Sequence, residues 1–221
     1  MLKILVANAK GGCGKTTIAT QLAAALAAEG GGTLLADADR QRSGLGWLAR
    51  RPASAAPIVG LDWSRDLGKP DKRMRHLVID AAPALRRKRI AELVGLADLV
   101  VVPVLPSAFD EAGAQRFLRR LGALRSVANG RKPVAVVGNR VRSGTRAAAH
   151  LDKFFGGLGY PLVARLRDSR LYAETAAKGS SLFDTTGRRE RALQADWRPL
   201  LDLVANVADD RPQPKATVTT S

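Results

Sequence analysis

Apolar residues alternate along the chain in two kinds of segment. Short runs are apolar at nearly every position: "LKILVANA" (2–9), "TLLADAD" (33–39), "HLVIDAAP" (76–83), "DLVVVPVLP" (98–106) and "KPVAVVGNRV" (132–141). Runs of that length, bounded by glycine, proline or charge, read as strands buried on both faces. Between them lie longer segments with helical spacing. "GKTTIATQLAAALAAEG" (14–30) is rich in alanine and leucine and is stopped by Gly30-Gly31-Gly32. "RQRSGLGWLARR" (40–51) reads as a helix ended by Pro52, and "RKRIAELVGLA" (87–97) as another. "SAFDEAGAQRFLRRLGALRSV" (107–127) predicts one long amphipathic helix with Ser107 as its N-cap, and "TRAAAHLDKFFGGLG" (145–159) a helix capped by Thr145. "ASAAPIVGLDW" (53–63) predicts a loop and a short strand, and "PLVARLRDSRLYAETAAKGSS" (161–181) a strand, a turn and a helix starting near Ser169. "RRERALQADWRPLLDLVANVA" (188–208) predicts the final helix, kinked or broken at Pro199. Strands alternating with helices predict an α/β fold, a mostly parallel sheet flanked by helices on both faces.

The chain has 221 residues, which suits one domain with a sizeable core, expected over residues 1–208. The remainder, "DDRPQPKATVTTS" (209–221), is polar and non-periodic, and a disordered tail is expected there. No apolar run reaches the roughly 18–20 residues that span a bilayer. The N-terminus lacks a secretory layout, so a cytoplasmic location is the expectation. One cysteine, Cys13, excludes an intrachain disulfide framework. Charge adds more: 36 Lys plus Arg against 20 Asp plus Glu give +16 and a pI near 11.1. That excess predicts attraction to a polyanion, nucleic acid or an anionic membrane surface.

The chemistry concentrates in "NAKGGCGKTT" (8–17), between a strand and a helix. Gly11, Gly12 and Gly14 let backbone N–H groups turn toward phosphate oxygens, and the helix N-terminus adds its dipole. Cys13 is the small residue among them. Lys15 is placed to reach the β- and γ-phosphates, Thr16 to offer its hydroxyl to Mg²⁺, and Thr17 to hold the α-phosphate side. Mg²⁺ prefers oxygen ligands and keeps several waters. Asp80, ending "HLVID", is a candidate carboxylate acting through water. Asp37 and Asp39, ending "TLLADAD", face one side of their strand. Asp39 is the candidate to orient the attacking water or meet the metal, with a helix cap as its plainer reading; for Asp37 a structural and a functional role stand equal. The loop departs from G-x-x-x-x-G-K-[ST] at Ala9 and carries a second lysine, Lys10.

These segments resemble the ParA/MinD group of deviant Walker ATPases. The carrying residues are "KGGCGKTT" (10–17), "DADRQRS" (37–43), "VIDAAP" (78–83), "ADLVVVPVLPSAFD" (97–110) and "GNRV" (138–141), in order over most of residues 1–207. The resemblance implies a P-loop ATPase that hydrolyses ATP slowly with Mg²⁺ until a partner stimulates it. It also implies an ATP-dependent sandwich homodimer in which Lys10 crosses to the partner's nucleotide and Gly12 permits close approach. Asp39 corresponds to the catalytic acid and Asn139 to the asparagine that reads adenine. Arg165–Asp168, expected on a later loop, corresponds to a segment packing on the base. The short ParA-type branch fits best, because the tail lacks the apolar face of a MinD-like membrane helix and the cysteines of cluster-bearing relatives are missing. "DAAPALRRKRIAELV" further resembles McdA-type, carboxysome-distributing proteins, departing at Arg86–Arg89. Plasmid or chromosome partition is the alternative, a MinD-like membrane ATPase another, and an amidating synthetase would need an extra domain. Implied partners are non-specific double-stranded DNA of the nucleoid and a ParB- or McdB-like adaptor on the cargo. Arginines cluster late in the sequence, and Arg188, Arg189 and Arg191 are the DNA-binding candidates. Aromatic content of 5% does not support base stacking on single strands.

Overall fold

In a computed structural model that describes residues 1–211, seven strands form one all-parallel sheet. The strands are β1 (Leu2–Val6), β2 (Thr33–Asp37), β3 (Ile58–Asp62), β4 (His76–Asp80), β5 (Leu99–Val104), β6 (Val134–Val141) and β7 (Leu162–Arg167). Their spatial order is β3-β2-β4-β1-β5-β6-β7, which puts β1 and its following loop near the middle. β1, β2, β4 and β5 are nearly continuously buried, as apolar strands covered on both faces must be.

Alternate side chains of each strand enter two separate cores. Leu5, Ala7, Leu34 and Ile79 pack with α3 (Arg87–Leu96), α4 (Ala108–Gly122) and α6 (Arg146–Gly157). Ile4, Val6, Leu35 and Val78 pack with α1 (Lys15–Ala28), α2 (Ser43–Leu48) and α9 (Arg198–Asp209). Three further α-helices lie among the described residues: α5 (Arg125–Ala128), α7 (Leu171–Ala177) and α8 (Arg188–Gln194).

Three expected helices are shorter than their patterns. The helix foreseen from residue 40 begins at Ser43, because Arg42 is left-handed (φ 52°) and the Asp37 carboxylate accepts the N–H groups of Gly44 and Leu45. The long helix at 107–127 stops at Gly122, and an extended Leu124 separates α4 from α5. The last one divides at a 3₁₀ turn, Ala195–Trp197, with Pro199 in the first turn of α9, where its missing N–H costs nothing. Ser107 and Thr145 cap their helices as expected. α9 runs to Asp209, and residues 212–221 of the expected disordered tail lie outside the described residues.

Candidate functional site

The loop between β1 and α1 lies at the carboxyl ends of the central strands, the usual ligand crevice of an open α/β sheet. Gly12 (φ 76°) and Gly14 (φ 96°) have left-handed backbones. The backbone N–H groups from Gly11 through Thr17 find no acceptor among the described residues. Unpaired donors at a helix start, with the helix dipole behind them, form an anion cradle. Lys15 is buried, and its ammonium donates to the Lys10 carbonyl at 2.8 Å. Cys13 is fully buried, and burial pushes its thiol above the ordinary value. It is a packing residue of the loop.

Two aspartates stand side by side at the ends of neighbouring strands. Asp37 and Asp80 are register partners on β2 and β4. The Asp37 carboxylate accepts three N–H groups, those of Asp39, Gly44 and Leu45, so it holds the β2–α2 turn together. Asp80 is 1% exposed, and neither carboxylate oxygen has a hydrogen-bond partner among the described residues. Burial pushes its pKa up to about 7, helped by Asp37 and opposed by the nearby Thr16 hydroxyl and Lys15. A buried, unsatisfied carboxylate beside a threonine hydroxyl suits a hard, hydrated divalent cation. Asp39 lies beyond β2, half-exposed, with one oxygen accepting the Gln41 N–H.

Asn139 is buried against the loop. Its amide donates to the Cys13 carbonyl at 2.9 Å, and a Cβ on Gly14 would lie 2.1 Å from its nitrogen. Its amide nitrogen is thus turned to the loop, while its oxygen accepts the Arg140 N–H. The placement of Arg165 departs from expectation. Arg165–Arg167 belong to β7, and the Arg165 guanidinium is held by Asp152 of α6 at 2.7 Å. Only Asp168 and the residues after it lie on the loop, because the register with β6 carries the strand on to Arg167.

Lys10 has a partner that its neighbours in sequence do not announce. Its ammonium pairs with Asp110 at 2.7 Å, in the first turn of α4. Asp110 is buried and also accepts the Ser107 hydroxyl. The S-x-x-D spacing of Ser107 and Asp110 is the one sequence signal pointing there.

Arg188, Arg189 and Arg191 are exposed on α8, on the side of the sheet covered by α1 and α9. A second basic cluster stands on the opposite side, at the start of α3 and along α4: Arg86, Arg87, Lys88, Arg116, Arg119 and Arg120 are exposed and make no ion pair among the described residues. Basic residues therefore do not collect only in the late part of the chain, because helix packing joins segments that lie 30 positions apart.

The chain matches the CobQ/CobB/MinD/ParA nucleotide binding domain over residues 4–182. It is 27% identical over 208 residues to maintenance of carboxysome distribution protein A of Halothiobacillus neapolitanus, covering 91% of this chain and 95% of that protein. The protein of the same name from Gloeobacter kilaueensis is 31% identical over 203 residues, covering 88% and 90%. Among solved structures, apo McdA of Cyanothece superposes with a TM-score of 0.73 at 17% identity, covering 94% of this chain and 99% of that one. An ATP complex of a variant of that protein gives 0.70, also at 17% identity, covering 97% and 99%.

Proposed function

The chain belongs to the CobQ/CobB/MinD/ParA nucleotide-binding family, and from that premise we propose that it is a ParA-type, Mg²⁺-dependent ATPase that positions a cargo, carboxysomes first, over nucleoid DNA. The observation that carries the ATPase reading is the pairing of an unsatisfied N–H cradle at Gly11–Thr17 with the orphaned Asp80 carboxylate beside Thr16. The carboxysome part draws on the two relatives named for carboxysome distribution.

In this reading the loop N–H groups and Lys15 bind the ATP phosphates, and Gly14 admits the backbone close to them. A bound Mg²⁺, held by Thr16 and through water by Asp80, with Asp39 nearby, would neutralise phosphate charge. Asp39 orients the attacking water. Thr17 steadies the α-phosphate side, and Asn139 reads the adenine. Lys10 has to leave Asp110 before it can reach a second subunit's nucleotide, so the internal ion pair competes with a sandwich dimer. Dimerisation joins two α8 surfaces into one face for DNA phosphates, and an adaptor on the cargo speeds hydrolysis.

The test is ATP turnover with and without Mg²⁺ and duplex DNA, together with sedimentation of the protein in ATP and in ADP. Slow, Mg²⁺-dependent hydrolysis and an ATP-only dimer that binds DNA are expected. Lys10→Ala should lose the dimer and Asp39→Ala should keep it while losing hydrolysis. A parent protein without Mg²⁺-dependent ATP binding would overturn the reading.

A further inference from the structure

A concavity adjoins the start of the phosphate loop. It is a cavity of about 570 Å³ between α3 and α4, lined also by Asn8 and Ala9. Its floor is apolar, built from Ile90, Phe117 and Leu124. Its rim carries Arg86 and Arg87 at the start of α3 and Arg119 and Arg120 from α4. None of these guanidinium groups has a carboxylate partner among the described residues. A second depression of about 370 Å³ adjoins it, sharing Ala9, Phe117 and Arg120, and leads past Lys10 to Phe109, which is 86% exposed. Ala9 of the wall belongs to the phosphate loop, and its carbonyl accepts the N–H of Ala84, left-handed at φ 51°, at 2.9 Å, between the lining residues Ala82 and Leu85.

We propose that this α3–α4 groove docks an acidic protein segment carrying a large apolar side chain. Four unpaired arginines around a dry floor call for a ligand that is acidic outside and apolar at its centre. The elongated form fits an extended or helical segment better than a compact molecule. Residues 212–221 do not match the groove, since they carry Lys215 and no acid. Duplex DNA presents phosphates on a convex surface and has no group to fill the floor. The groove is on the opposite side of the sheet from Arg188, Arg189 and Arg191, so its occupant and DNA need not compete. The Ala84–Ala9 hydrogen bond is the route by which an occupant would act on the phosphate loop. The inference rests on the reading of a partner-stimulated ATPase and gives that partner a site and a chemistry.

The experiment selects short random peptides by display on the full-length, nucleotide-free protein. Affinities are then measured by fluorescence anisotropy. Two variants probe the groove: Arg119→Glu with Arg120→Glu, which reverses the rim, and Ala123→Trp, which fills the cavity and leaves the charge unchanged. Circular dichroism checks that each folds. Expected are peptides with aspartate or glutamate flanking Leu, Phe or Trp that lose at least about tenfold in affinity on either variant. Peptides indifferent to both variants, or neutral or basic groove binders, overturn the proposal. Loss of duplex DNA binding in the rim variant also overturns it, by assigning these arginines to DNA. Peptide binding needs no ATP, so failure here and failure of the ATPase reading are told apart.

Discussion

Asp37 and Asp80 stand at the same level of neighbouring strands, yet their surroundings assign them opposite work. Asp37 accepts three N–H groups, so Asp37→Ala leaves the buried Gly44 N–H and the half-buried Asp39 and Leu45 N–H groups unpaired. We expect a loss of about 2–4 kcal/mol in folding stability, read by urea denaturation. Asp80 accepts no hydrogen bond among the described residues and holds a carboxyl group in a dry site. Asp80→Asn should keep or raise stability by about 1 kcal/mol while Mg²⁺-dependent ATP turnover falls roughly a hundredfold. Calorimetry without Mg²⁺ and a turnover assay together check this, and a parallel loss of stability and activity would refute it. The sequence singles out Asp80 as a candidate carboxylate and leaves Asp37's role open. The deciding fact is the position of the Gly44 and Leu45 N–H groups, which follows from the turn at Arg42.

At the scale of elements, most of the pattern was legible because it is local. Five strands fall within the apolar runs read from the sequence, β3 and β7 fall where short strands are expected, and the Ser107 and Thr145 caps follow from their own side chains. Helix ends were harder, since Leu124 and the turn at Ala195–Trp197 are set by what those segments pack against. His76, at the buried start of β4 beside Thr33, shows how an element can carry a pH dependence. Burial first, then Arg75 and the N-terminal amine, push its pKa from 6.5 down to about 4. Between those values the unfolded chain binds the proton and the folded one does not. Its contribution is intact above pH 6.5 and is lost as pH falls toward 4. Asp80, raised to about 7, acts with the opposite sign across an overlapping range. Melting temperatures of parent and His76→Gln from pH 7 to pH 4 therefore isolate the histidine as their difference. The parent should fall more steeply than the variant.

For the whole molecule, the sheet separates two basic surfaces: α8 on one side, α3 and α4 on the other. If α8 meets DNA phosphates, changing Arg188, Arg189 and Arg191 together to glutamate should lower duplex affinity. The log–log salt slope between 50 and 200 mM should also become shallower by about 2–3. An unchanged slope would move the DNA surface elsewhere. The sequence by itself determined the parallel α/β architecture, the phosphate loop and the identity of its lysines and acids. These depend on periodicity and on residues within a few positions of each other. Only the tertiary structure decided that Lys10 rests on Asp110, that Arg165 is bound to Asp152, and that Arg86 and Arg120 share the rim of one groove. Those are contacts between segments far apart in the chain. Their geometry depends on how the helices seat on the sheet, which no local pattern of polar and apolar residues encodes.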